Sequence, residues 1–163
     1  MFGFRKKGSG VQGITYGVMD GVLTCLGVIM GLSAAGNKFF LLLAVLAVGL
    51  ADAMADSAAF HVGQETETHH RKKEIRKSTV LTFIGVFGGF LVLGIPILFL
   101  ELSTAILVSG VMGMAILAGL GYTVASINPK HKKSRLMWEY VAMGIFVSVV
   151  TYFVGRLVVG LGV

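Results

Sequence analysis

Three aspartates lie inside apolar runs of this sequence, where acidic side chains are rare. Asp20 falls in the run 11–35, and Asp52 and Asp56 fall in the run 39–63. A charged side chain at the middle of a bilayer costs at least about 2.5–3.5 kcal/mol on insertion scales, so an acidic residue there indicates function. The alternative is structural, with each Asp neutral, protonated and hydrogen-bonded to a neighbouring helix.

The three carboxylates are expected at overlapping depths in the membrane. At a rise of about 1.5 Å per residue, Asp20 lies about 13 Å from the start of its run, and Asp56 and Asp52 lie about 12 and 18 Å from the end of theirs. Asp52 and Asp56 are four residues apart and share a helix face. Three carboxylates on two antiparallel helices favour a divalent-cation site or a proton relay.

Softer candidate ligands accompany the aspartates. Met54 and His61 lie seven residues apart on one face, roughly opposite Asp52 and Asp56. Thioether and imidazole ligands favour iron, manganese or other transition ions over calcium or magnesium. Ordinary packing is the alternative for Met54, and a solvated imidazole is the alternative for His61. We therefore predict a metal- or proton-binding site made of these four residues and Asp20.

A polar segment after the second apolar run carries Glu65, Glu67 and His70. Because Glu67 and His70 have helical i,i+3 spacing, these three residues are a candidate entrance that attracts metal on the cytoplasmic side. The favoured alternative is a solvated helical extension whose basic half binds anionic lipid headgroups.

Gly17 and Gly21 flank Asp20 and continue a stripe, spaced by four residues, that begins at Gly13. Such stripes let helix backbones approach closely. We expect at least a dimer, because one five-helix protomer is thin-walled around a carboxylate pathway. In that dimer the glycine stripe offers a close-packing surface, and the two first helices line a shared cavity.

The amino-acid composition and the apolar runs predict the secondary-structure elements that position these residues. Of the 163 residues, 55% are hydrophobic and 13% are charged, against about 25% charged in soluble domains. This balance excludes a disordered chain, a nucleic-acid-binding domain and an ordinary cytosolic enzyme. Runs of about 20 apolar residues mark membrane-spanning helices. The sequence therefore predicts an all-α integral membrane protein, a single domain over 1–163 whose five spans are 11–35, 39–63, 79–100, 104–127 and 138–159.

Charge placement predicts the orientation of these spans. All Lys and Arg residues except Lys38 and Arg156 fall on one side of the five-span arrangement. By the positive-inside rule the N-terminus is cytoplasmic and the C-terminus lies outside. The single Cys25 excludes an internal disulfide. The sequence has no Ser/His/Asp or Cys/His grouping at a suitable depth and no catalytic zinc pattern, so we do not expect an enzyme.

Two segments resemble the helix signatures of the vacuolar iron transporter (VIT) family. Residues 17–21 read Gly-Val-Met-Asp-Gly and residues 31–33 read Gly-Leu-Ser, similar to the family's first helix. Residues 49–52 read Gly-Leu-Ala-Asp and residues 63–65 read Gly-Gln-Glu, similar to its second helix, which usually has Gly-Leu-Ala-Glu and Gly-Glu followed by an aromatic residue.

This resemblance implies a homodimer in a lipid bilayer that moves ferrous iron, alternatively manganese, out of the cytoplasm against protons. The metal ion is substrate, and neither a covalently bound cofactor nor a nucleic-acid partner is expected. Asp20 matches the family's metal- and proton-handling aspartate, and Asp52 matches its second-helix glutamate. The implied location is the plasma membrane in a prokaryote or a vacuolar-type membrane in a eukaryote.

The sequence departs from the family in two places. The family's second-helix methionine falls at Phe60, and only about fifteen residues replace its Glu-rich cytoplasmic metal-binding domain. Two alternatives therefore stay open. One is a proton-coupled carrier or channel for another small solute, and the other is a non-transporting assembly or regulatory subunit whose aspartates only join helices.

The predicted orientation is tested by labelling in sealed cells. With Cys25 replaced by Ala, Asn37→Cys and Lys132→Cys are expected to react with a membrane-impermeant maleimide from opposite sides, because their loops lie at opposite ends of the spans. Reaction of both from the same side contradicts the five-span arrangement.

Overall fold

The computed structural model describes residues 8–66, 72–128 and 131–162. These residues form five α-helices and no strand, and each helix is long and apolar enough to cross a membrane. The predicted all-α fold with five spans is confirmed, whereas the orientation of the termini stays a prediction. The helices are α1 (Gly8–Ser33), α2 (Lys38–Glu65), α3 (Lys72–Phe99), α4 (Leu102–Ile127) and α5 (Lys133–Gly160).

The helices extend beyond the predicted apolar runs at their polar ends. α3 begins at Lys72, where the prediction had residue 79, and α5 begins at Lys133, where it had residue 138. Charged residues are good helix formers, and a count of apolar residues alone does not include them. The predicted entrance residues Glu67 and His70 lie outside the described residues.

α1 occupies the centre of the bundle and packs most extensively against α3. A Cβ on Gly13, Gly17 or Gly21 would run into the backbone of α3, and one on Gly85 or Gly89 of α3 would run into the backbone of α1. The stripe of small residues thus brings the two backbones into direct contact. Because α3 covers this stripe, a dimer must use another surface of α1.

The apolar core lies on the same side of α1 as the glycine stripe. Cys25, Leu26 and Ile29 are fully buried and pack in one cluster with Phe90 and Leu93 of α3. α4 and α5 complete the bundle, but few residues of α5 are buried, and its outer surface is apolar. An apolar outer surface is what a lipid-facing helix requires.

The α1–α3 contact predicts a position-dependent effect of adding one methyl group. Gly17→Ala places a Cβ against the Thr82 carbonyl and forces the helices apart. We expect a loss of about 1–3 kcal/mol, which corresponds to a fall of about 2–10 °C in the melting temperature of the purified protein. Gly88→Ala is the matched control, because nothing lies within 4 Å of a Cβ there. Equal melting temperatures for the two variants contradict the contact.

Candidate metal site

The short α1–α2 connection sets which residues of the two helices face each other. α1 ends at Ser33 and α2 begins at Lys38, with Asn37 as the N-cap whose side chain accepts a hydrogen bond from the Phe40 N–H. Counting 1.5 Å per residue from this connection, Asp20 and Asp52 both lie about 20 Å along their helices. The antiparallel pair therefore brings the two aspartates to the same depth.

The three aspartates form one cluster between α1 and α2. One carboxylate oxygen from each of Asp20, Asp52 and Asp56 lies within 4.8 Å of the others, and all three side chains are partly buried. The Tyr16 hydroxyl donates to Asp56 Oδ2 over 3.4 Å. The Oδ2 atoms of Asp20 and Asp52 are buried and have no hydrogen-bond partner among the described residues.

Two oxygens without partners and three adjacent negative charges define the chemistry of this cluster. A pair of unit charges 4–5 Å apart repels by roughly 3–4 kcal/mol at an effective dielectric constant of about 20. A divalent cation removes that repulsion and supplies the missing partners, and carboxylate oxygens are ligands that such ions prefer. Protons bound to the carboxyl groups also remove the repulsion, because a protonated carboxyl group is neutral. The cluster is therefore suited to bind either a metal ion or protons.

Met54 and His61, which the sequence placed with the aspartates, are not brought to the cluster. Met54 is 60% exposed and faces away from α1, since two residues along a helix turn the side chain by about 200°. His61 contacts α3, where its Nδ1 lies 2.8 Å from the Thr79 hydroxyl. The cluster therefore offers oxygen ligands only.

Sequence reasoning missed a polar stripe that continues the cluster along α1. Gln12, Tyr16, Asp20 and Thr24 recur every four residues, and this spacing was the available signal. At one end, Gln64 of α2 is only 3% exposed, and its Nε2 donates to Gln12 Oε1 over 3.4 Å. We call this line of polar residues between α1 and α2 the polar seam.

The seam becomes apolar one turn beyond Thr24. From there a groove of ≈ 520 Å³ runs between α1, α2 and α5 towards the α1–α2 connection. Thr151 of α5 is its one lining residue with a polar side chain. The carboxylates thus lie where a polar half and an apolar half of the same helix interface meet. The lining residues of the groove include Val28, Leu32, Ala44, Val48 and Val154.

Fold and site together define a polytopic α-helical membrane protein with a carboxylate cluster inside its bundle. A sequence model of the VIT family matches residues 11–81, which cover α1, α2 and the start of α3. This match supports membership of the chain in the VIT family, as the resemblance predicted. No curated protein matches the chain at a significant level of sequence similarity.

Repulsion within the cluster predicts opposite effects of one substitution with and without metal. Asp20→Asn removes one of the three adjacent charges, so we expect a higher melting temperature than wild type in a chelating buffer. Added Mn²⁺ should raise the melting temperature of wild type, because a ligand that binds the folded state stabilises it, and should raise that of Asp20→Asn much less.

The matched control for this measurement is Glu101→Gln, because Glu101 is exposed at the start of α4 and its side chain makes no capping hydrogen bond. Its response to Mn²⁺ should equal that of wild type. A response of Asp20→Asn as large as that of wild type contradicts metal binding by the cluster.

Proposed function

We propose that this protein carries a divalent transition metal, iron or alternatively manganese, out of the cytoplasm in exchange for protons. The match of residues 11–81 to the VIT family indicates metal-ion transport in general. The observation that carries the finer proposal is the cluster of Asp20, Asp52 and Asp56, with two buried carboxylate oxygens that lack partners.

The exchange follows from electrostatics. Three carboxylates within 4.8 Å of one another and partly buried between two helices need compensating positive charge. A divalent cation and protons each supply that charge at the same oxygens, so binding of one displaces the other. A carrier that alternates between the two sides with either load moves metal one way and protons the other.

The two halves of the α1–α2 interface differ in polarity, and the polar half lies towards the N-terminal end of α1. Gln12, Tyr16 and Gln64 line the seam between that end and the aspartates, whereas apolar side chains line the groove beyond them. Passage towards the other side therefore requires the apolar half to separate. α1 and α2 contact each other less extensively than either contacts α3, so the seam opens more easily than the interfaces of these two helices with α3.

The proposal includes a homodimer. The aspartates are only partly buried within one chain, and contact between carboxylates and lipid hydrocarbon is costly. A second copy placed against the α1–α2 side would exclude lipid from the seam and enclose a shared pathway. The glycine stripe is not part of this surface, because α3 covers it.

Transport by purified protein in liposomes with an internal pH dye tests the proposal. External Fe²⁺ or Mn²⁺ is expected to enter and to drive proton movement in the opposite direction. Asp20→Asn should fold and insert but lose at least nine-tenths of the initial rate, because it lacks both the charge and the exchangeable proton. Asp52→Asn should be impaired less completely.

Glu101→Gln serves as the control here as well and should transport at the wild-type rate. Wild-type exchange by Asp20→Asn contradicts the assignment of the site. Metal movement without a pH change contradicts proton exchange, and movement of no divalent ion contradicts the proposed function as a whole.

A further inference from the structure

His61 lies on the side of α2 that faces α3, away from Asp52 and Asp56. Its Nδ1 lies 2.8 Å from Thr79 Oγ1, and its Nε2 lies 3.4 Å from Glu65 Oε1, one helical turn further along α2. The His61 side chain is 34% exposed and that of Glu65 is 59% exposed. Both ring nitrogens thus have defined partners, and the Nε2 side is accessible from water at the end of α2.

The Thr79 hydroxyl is placed to serve either protonation form of the ring. Thr79 Oγ1 lies 2.9 Å from the Ile75 carbonyl oxygen as well as 2.8 Å from His61 Nδ1. A hydroxyl has one proton to donate and two lone pairs to accept with. It either donates to Nδ1, with the ring proton on Nε2, or donates to Ile75 and accepts from a proton on Nδ1. Both forms are satisfied without moving a heavy atom.

The distance between Nε2 and the Glu65 carboxylate fits a shared metal ion. It is 3.4 Å, whereas an N–H···O hydrogen bond is usually about 2.9–3.0 Å long. Two ligands of a tetrahedral metal with bonds of about 2.0–2.1 Å lie about 3.3–3.4 Å apart. When the ring proton is on Nδ1, no proton lies between Nε2 and the carboxylate oxygen, and a cation bound to both atoms fits their 3.4 Å separation.

We propose that His61 and Glu65 form a second divalent transition-metal site, separate from the aspartate cluster, with Thr79 as its positioning residue. The metal takes the place of the proton on Nε2. That proton moves to Nδ1, Nδ1–H donates to Thr79, and the Thr79 hydroxyl donates to the Ile75 carbonyl. A neutral ring therefore binds metal with no net release of a proton, and water completes the coordination at the exposed side.

As a step in transport, this site receives the ion before it reaches the aspartates, and that role rests on the proposed function. His61 is five residues from Asp56, about 7.5 Å along the helix axis. An imidazole nitrogen favours transition ions over magnesium and calcium. Binding of metal to this site is measured at equilibrium, and that measurement does not depend on transport.

Binding of Co²⁺ to the purified full-length chain tests the site. The background variant removes the charges of the aspartate cluster, so that only other sites contribute. We expect one Co²⁺ per chain to remain bound with an absorption spectrum typical of nitrogen ligation. His61→Ala and Glu65→Gln should each weaken this binding at least tenfold. The background substitutions are Asp20→Asn, Asp52→Asn and Asp56→Asn.

Substitutions of Thr79 distinguish a role in positioning the His61 ring from a role in packing alone. Thr79→Val keeps the shape and removes the hydroxyl, and loss of such a partner weakens metal binding by about 10–100-fold. Thr79→Ser keeps the hydroxyl and should bind within about threefold of the parent. His131→Ala, a substitution of an exposed residue between α4 and α5, is the matched control and should change nothing. Undiminished binding by His61→Ala or by Thr79→Val overturns the proposal.

A second measurement uses the chain with all aspartates in place, so it does not depend on folding of the background variant. Nitrogen-15 spectra of the His61 ring distinguish a proton on Nε2 from one on Nδ1. Diamagnetic Zn²⁺ should convert the ring to the Nδ1–H form, and a ring that is unaffected by saturating Zn²⁺ overturns the proposal. Transport failure with this conversion intact contradicts the proposed function and leaves the site standing.

Discussion

Direct backbone contact between α1 and α3 fixes the rotation of α1, and the position of the aspartate cluster depends on that rotation. Gly13, Gly17 and Gly21 place one side of α1 against the α3 backbone, where no side chain fits. The residue before each glycine is turned by about 100°, which directs Gln12, Tyr16 and Asp20 towards α2. A side chain on the glycine stripe would separate α1 from α3 and also change the depth and direction of Asp20. The glycines that flank Asp20 therefore position it, although they bind nothing themselves.

The sequence predicted the helices and the shared depth of the aspartates but not the partner of each helix face. Run length and hydropathy define five spans, because an isolated backbone in lipid must satisfy its own hydrogen bonds. The spacing of Asp52 and Asp56 and a short connection to α1 then place three carboxylates together. The same periodicity shows that His61 and the glycine stripe lie on other faces, but only packing determines that α3 covers both. Met54 is exposed for the same reason, because none of the five described helices packs against its face.

The helix ends lie outside the predicted spans because they follow a different physical rule. Lys72 and Lys133 begin their helices outside the apolar runs, where water solvates charged side chains and intrinsic propensity favours helix. The polar turn of α3 contains Ile75, whose carbonyl oxygen accepts a hydrogen bond from Thr79, the residue whose hydroxyl lies 2.8 Å from His61 Nδ1. A reading that stops at the apolar run leaves out the part of α3 that meets the end of α2.

The two proposed sites have different ligands and different roles, one in selecting the metal ion and the other in coupling metal movement to proton movement. The aspartate cluster offers only oxygen ligands, since Met54 faces away and Phe60 stands where the family has methionine. Carboxylates alone bind hard and borderline divalent ions without strong preference, and in the proposed exchange a cation replaces protons at the same oxygens. In the proposed second site, His61 adds the nitrogen ligand that oxygen clusters lack, and a neutral ring binds metal there without releasing a proton. In the proposed mechanism, preference for transition ions therefore arises at the end of α2 and proton exchange arises between α1 and α2. Both sites depend on α3. Its backbone packs against the glycine stripe of α1 and so fixes the rotation of α1, and its residue Thr79 orients the His61 ring.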